Sequence, residues 1–245
     1  MTTSAASKTV LITGASSGIG EATARRLAGV GHRLLLGARR TDRLSSLAEE
    51  LRAGGAPVAH RALDVTSLDS VRAFAAAGIE EYGRIDVLIN NAGVMPLSAI
   101  AELRIAEWEQ MIDVNLRGVL HGIAAVLPQM QRQGGGHIVN VSSVSGHRVD
   151  PTAAVYSATK FAVAALSEGL RQESRDVRVT VVSPGFTRSE LTDRGGSAQA
   201  RSAARSAAEQ LAIPASAIAD AIAFAVDQPS NVDVNELIVR PTAQG

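Results

Sequence analysis

Six short aliphatic runs recur along the chain: Thr9–Thr13, Arg33–Gly37, Asp86–Asn90, His137–Val141, Arg178–Ser183 and Glu236–Arg240. Their apolar residues are consecutive rather than alternate, the pattern of strands buried on both faces in a parallel sheet covered by helices. With Val58–Leu63 they predict about seven strands. Between them lie longer Ala-rich or amphipathic stretches, Ile19–Gly29, Arg43–Ala53, Leu68–Tyr82, Ile105–Gln133, Ala153–Ser174 and Ala215–Val226, each of helical length. This alternation predicts an α/β fold, a doubly wound parallel sheet with helices on both faces.

One stretch breaks the rhythm. Thr187–Leu211 carries Gly195-Gly196 and then an Ala-, Ser- and Arg-rich run, between the sixth strand and the last helix. Ligands of such sheets bind beyond the carboxyl ends of the strands. A mobile insertion over about residues 187–212 would therefore serve as a substrate lid; a tolerant surface loop is the alternative.

Composition narrows the class further. The 245 residues contain no long Pro/Gly/Ser-rich break and suit one domain spanning 1–245. Hydrophobic residues are 46% of the chain but aromatics only 3%, so Ala, Val, Leu and Ile must fill the core. Lys plus Arg equal Asp plus Glu at 24 each, giving no field that favours nucleic acid or an anionic membrane; small molecules are the expected partners. The absence of cysteine removes disulfides, thiol nucleophiles and thiolate metal sites and fits a cytoplasmic location. Met1–Lys8 lacks the apolar core of a signal segment, and no run reaches the ~18 apolar residues of a spanning helix. His32, His60, His121, His137 and His147 show no ligand spacing, so no metal is expected.

Chemistry concentrates at the strand ends. Thr13-Gly14-Ala-Ser16-Ser17-Gly18-Ile19-Gly20 follows the first strand and opens the first helix. Glycines there let the backbone turn sharply and approach a pyrophosphate at the positive end of a helix. The second strand ends at Ala38-Arg39-Arg40 with no acid to accept hydrogen bonds from an NAD ribose. Ala38 leaves room, and Arg39 or Arg40 offers a charged fork to the extra phosphate of NADP; two solvated arginines are the plainer reading. Asp64-Val65 is placed to contact adenine, and Asn91-Ala92-Gly93 to bring backbone near the cofactor.

Tyr156 and Lys160 stand four apart, with Ser143 thirteen residues before the tyrosine. On a helix such a pair shares a face, where an ammonium favours phenolate and prepares a general acid/base. Any solvated helix face can carry the same pair by chance.

Together these residues resemble the classical short-chain dehydrogenase/reductase family, from Thr9 almost to the C-terminus. The matching motifs are Thr13 to Gly20, Asp64-Val65, Asn90 to Gly93, Asn115 in Asp113–Gly118, Ser143, Tyr156 with Lys160, and Pro184-Gly185 followed by Thr187. The resemblance implies a Rossmann-type sheet, a nicotinamide cofactor and a homotetramer or homodimer. It also implies roles. Tyr156 would exchange a proton with a carbonyl or alcohol oxygen, and Ser143 would hold that oxygen. Lys160 would lower the tyrosine pKa and grip the nicotinamide ribose, while Asn115 would orient a water linking Lys160 to solvent. Pro184, Gly185 and Thr187 would contact the nicotinamide. The segment Val234–Pro241 looks like the clavaldehyde reductase and hydroxy-acid or serine dehydrogenase branch.

Substrate contacts are expected from Val94, Met95, Ser145, His147, Val149, Phe186 and Leu191, mostly apolar, with Arg148, Arg188 or Arg194 available to a carboxylate. The expected activity is NADP(H)-dependent interconversion of a carbonyl and an alcohol. Two other readings stand beside it: a dinucleotide-sensing regulator without turnover, disfavoured by the intact proton-transfer set, and a sugar-nucleotide epimerase or dehydratase, disfavoured by chain length and glycine spacing.

Overall fold

The apolar runs become seven parallel strands: β1 (Thr9–Thr13), β2 (Arg33–Ala38), β3 (Val58–Ala62), β4 (Val87–Asn90), β5 (Gly136–Val141), β6 (Val177–Pro184) and β7 (Glu236–Val239). A computed structural model describes residues 7–244, so the expectation for the chain's polar start lies, up to residue 6, outside the described residues. The strand order is β3-β2-β1-β4-β5-β6-β7. Register is continuous, with Leu11 paired to Leu35 on one side and to Leu88 on the other. Every residue of β1 and β4 is buried, as consecutive apolar positions require. Edge strand β7 is buried only in part.

Helices α1 (Gly18–Ala28), α2 (Thr41–Ala53), α3 (Leu68–Tyr82), α4 (Ile105–Met111), α5 (Gly118–Arg132), α6 (Ala154–Glu173), α7 (Ala198–Leu211) and α8 (Ala215–Asp227) supply the layers. Successive strand residues face opposite sides of a sheet. Val10 and Ile12 accordingly pack with Leu27, Leu44 and Ile222 from α1, α2 and α8. Leu11 packs on the other side with Phe74, Val119, Ile123 and Val163 from α3, α5 and α6. This is a Rossmann-type domain. Among the described residues no helix is long and apolar enough to cross a membrane.

Two sequence expectations need correction. Ile105–Gln133 is not one regular helix: a π-helical turn over Ile112–Arg117 separates α4 from α5. Such a turn re-aims side chains inside an otherwise α-helical run, and Asn115 within it is 1% exposed. The Thr187–Leu211 stretch, to which the sequence pattern assigns no helix, contains one. A 3₁₀ turn (Glu190–Asp193) leads into α7, which Ser197 caps by accepting a hydrogen bond from the Ala200 N–H.

The Gly195-Gly196 pair is closely packed rather than loose. A Cβ on Gly196, whose φ is +73°, would lie 2.6 Å from the Leu97 nitrogen. The Gly196 N–H donates to Glu107 Oε1 at 3.0 Å and the Ser197 N–H to the Leu97 carbonyl at 2.8 Å. Both ends of the insertion meet at one point, where Arg188 N–H donates to Ile213 O and Ile213 N–H to Phe186 O.

Candidate active site

Strand order reverses at β1 and β4, which opens a crevice beyond their carboxyl ends. Thr13 holds its two lips together. Its hydroxyl accepts the Asn91 and Ala92 N–H groups at 3.0 and 3.1 Å, and Asn91 Nδ2 donates back to the Thr13 and Gly14 carbonyls. Gly14 is required at this crossing: its φ is +68° and a Cβ would come within 2.8 Å of the Ala92 Cα. The glycine-rich turn thus presents backbone and the start of α1 to a cleft of about 480 Å³, within the ~300–1,000 Å³ range of small-molecule and cofactor sites.

The cleft brings together nearly all the residues named from sequence. Its walls include Gly14, Ser16, Ser17, Gly18, Ile19, Arg39, Arg40, Asp64, Val65, Asn91, Ala92, Gly93, Val94 and Met95. Ser143, Ser145, Tyr156, Lys160, Pro184, Gly185, Phe186, Thr187 and Leu191 complete that set. Gly20 lies behind the turn, against Asn91 and the Gly14 carbonyl.

His147 is a correction. Its Nε2 lies 3.0 Å from Ser183 Oγ and 3.1 Å from Glu236 Oε1, so the imidazole is engaged with β6 and β7 and does not line the cleft. Val149 is 61% exposed and also outside it. Of the three candidate arginines only Arg194 reaches the cleft; Arg148 lies 3.6 Å from Asp150.

Helix α6 places Tyr156 and Lys160 on one buried face, 5% and 6% exposed. That excludes the solvated-face reading. The ammonium of Lys160 sits 5.7 Å from the Tyr156 ring centroid and donates to the Val141 carbonyl at 3.0 Å. Burial pushes the Tyr156 phenol up to about 12, opposed by a hydrogen bond with Ser143. Burial also pulls Lys160 down to about 8. Loss of solvation, rather than lowering by the lysine, is therefore the dominant effect on the tyrosine.

Asn115 stands one layer behind. Its Oδ1 accepts the Val94 N–H at 2.9 Å, while Nδ2 donates to the Val94 carbonyl at 2.9 Å and to Thr159 Oγ1 at 3.2 Å. Thr159 in turn donates to the Tyr156 carbonyl at 2.7 Å. Both amide protons are thus committed to protein, leaving a lone pair on Oδ1 as the side chain's capacity for water.

Three residues escaped the sequence reading. Gln244 Oε1 accepts the Phe186 N–H at 2.9 Å and braces the turn after β6. Arg43 and Glu190 meet at the rim: Glu190 bonds Arg43 Nη1 at 2.5 Å and Arg40 Nη1 at 2.6 Å. A basic residue three beyond Arg40 was the available signal for Arg43. For Gln244 and Glu190 none existed, because their partners lie 58 and 150 residues away.

The short chain dehydrogenase family model matches residues 8–200. An uncharacterised oxidoreductase of Staphylococcus saprophyticus is 47% identical over 97% of both chains. Among solved structures, an alcohol dehydrogenase from the archaeon Thermococcus sibiricus, complexed with 5-hydroxy-NADP, is 35% identical with a TM-score of 0.88, covering 97% of this chain and 98% of that one. The closed form of serine dehydrogenase, complexed with NADP⁺, is 30% identical with a TM-score of 0.89, covering 97% and 96%. The chain belongs to the short-chain dehydrogenase family of oxidoreductases, which use a nicotinamide dinucleotide. With an alcohol dehydrogenase and a serine dehydrogenase at comparable similarity, the branch suggested by Val234–Pro241 is not singled out.

Proposed function

We propose that the protein is an NADP(H)-dependent oxidoreductase that interconverts an aldehyde or ketone with its alcohol. The observation that carries this reading is the buried grouping of Tyr156, Ser143 and Lys160 in the same cleft as the glycine-rich turn. A dinucleotide fits the residues present: the Gly14 crossing holds a backbone cradle open, and Arg39 and Arg40 stand where the second strand ends without an acid. Residues from Gly14 to Gly20 would hold the pyrophosphate, Asp64 and Val65 the adenine, Lys160 a ribose, and Pro184, Gly185 and Thr187 the nicotinamide.

When bound, that nicotinamide supplies or accepts the hydride. The protein supplies the proton. Tyr156, held protonated by burial, gives its hydroxyl proton to the carbonyl oxygen in reduction and takes it back in oxidation. Ser143 donates to the same oxygen as negative charge grows on it. Lys160, positively charged at neutral pH, favours the phenolate that each reduction leaves behind. Asn115 keeps Val94 in the substrate wall and, through Thr159, steadies the backbone of Tyr156.

Met95, Val94, Phe186 and Leu191 favour a substrate with a hydrophobic body, Ser145 adds one hydroxyl, and residues 187–212 act as the lid. Half-exposed Leu120 and Phe161 on α5 and α6 favour a homodimer or homotetramer.

A panel of aldehydes, ketones and diketones tests the function, with oxidation of NADPH as the readout. Turnover is expected for members with a hydrophobic body. Because hydrogen bonds to charged groups contribute ~1.5–3 kcal/mol, NADPH should exceed NADH in kcat/KM by roughly ten-fold or more. NADPH binding without oxidation across the panel would contradict the proposal in favour of a sensor, and an NADH preference would contradict the cofactor assignment.

A further inference from the structure

Glu190 is the acidic residue at the most basic corner of the cleft. Its carboxylate is gripped on both oxygens, Oε1 by Arg43 and Oε2 by Arg40, with Arg194 Nη2 3.5 Å from Oε2. Arg40 belongs at once to the cofactor turn, donating through Nε to Ser16 Oγ at 3.2 Å and through Nη2 to Ser17 Oγ at 2.7 Å. Glu190 opens the 3₁₀ turn of the insertion after β6. One carboxylate therefore ties residues 187–212 to the glycine-rich turn and to the first turn of α2. The arginine pair is a fork of a kind that also suits phosphate, and Glu190 fills it with a side chain of this same chain.

We propose that Glu190 is a cofactor-discriminating residue: its carboxylate occupies the arginine seat that a 2′-phosphate takes on binding, so that the phosphate releases the insertion from Arg40 and Arg43. The inference rests on the NADP reading above and goes beyond it by naming a competitor for the phosphate. A dinucleotide without that phosphate offers the arginines no replacement anion and leaves the tie in place. Asp42 and Glu21 also act on Arg43, but among the described residues it is Glu190 whose carboxylate bridges Arg40 and Arg43.

The test is equilibrium binding of 2′,5′-ADP, 5′-AMP, NADPH and NADH to the full chain and to Glu190→Gln. Exchange of a solvent-screened ion pair shifts binding only modestly, so Glu190→Gln should bind 2′,5′-ADP and NADPH about three- to five-fold more tightly, with 5′-AMP and NADH unchanged within about two-fold. Hydrogen exchange over residues 187–212 of the unsubstituted protein should rise with 2′,5′-ADP and not with 5′-AMP. Equal or weaker binding of 2′,5′-ADP by the variant, or an equal gain for 5′-AMP, would overturn the proposal. If the unsubstituted protein prefers NADH while Glu190→Gln still gains for 2′,5′-ADP, the NADP reading fails and the competing seat stands. If it prefers NADPH and the variant gains nothing, the competing seat alone fails.

Discussion

Single residues show how burial turns ordinary side chains into specialised ones. Tyr156 and Lys160 were legible as a pair because four residues is the helical repeat; the dominance of desolvation over their mutual attraction was not, since it depends on the walls around them. His137 follows the same physics away from the site. Thr180 donates its hydroxyl to the Val234 carbonyl at 2.6 Å, so it accepts from His137 Nε2 at 2.8 Å, which fixes the proton on Nε2 and leaves Nδ1 without a partner. Burial and the charges of Arg178 and Lys8 hold its pKa well below the ordinary value of 6.5. A folded-state pKa depressed in this way means that the unfolded chain takes up the proton first. The stability His137 contributes is then present above pH ~6.5 and lost as pH falls below it, by up to about 1.4 kcal/mol per pH unit. Urea unfolding between pH 7 and 5 should show this loss, and His137→Asn should flatten it; an unchanged slope would contradict the assignment.

At the level of elements, the strands were readable to within a residue or two because burial on both faces demands consecutive apolar positions. The π turn over Ile112–Arg117 was not, because the stretch keeps a helical composition while its hydrogen bonding changes. Its consequence is that Asn115 reaches Val94. Removing that side chain leaves the half-buried Val94 N–H and C=O without it, a loss at the low end of the ~1–3 kcal/mol that an unsatisfied buried polar group costs. Asn115→Ala should therefore lower the unfolding free energy by about that amount and reduce kcat, as measured by denaturant unfolding and steady-state kinetics; unaltered stability would show that the clamp on Val94 carries no energy. The packing inside the insertion after β6 was not legible for a related reason. Gly195-Gly196 signals freedom in isolation, yet here the pair admits the close approach of Leu97.

Across the whole molecule, strand order converts local motifs into one site. The glycine-rich turn, the Asn91–Gly93 segment, Ser143 and the Tyr156/Lys160 helix follow β1, β4 and β5, three neighbouring strands whose carboxyl ends face the same cleft. Alternation placed these segments at strand ends, while the resemblance to the family, not spacing alone, singled out Ser143 among its neighbouring serines. His147 and Val149 were misplaced because proximity in sequence to Ser145 does not set the direction of the chain after a 3₁₀ turn. The proposed function gives proton transfer to one hydroxyl. Replacing Tyr156 by Phe removes that hydroxyl and keeps the ring, so NADPH-dependent reduction and NADPH affinity should separate. General acid/base groups contribute roughly 10²–10⁴-fold. The most direct measurement is kcat/KM for carbonyl reduction by Tyr156→Phe beside its NADPH dissociation constant: a fall of at least about a hundred-fold with binding retained within about three-fold is expected, and turnover near that of the unsubstituted protein would contradict Tyr156 as the proton donor.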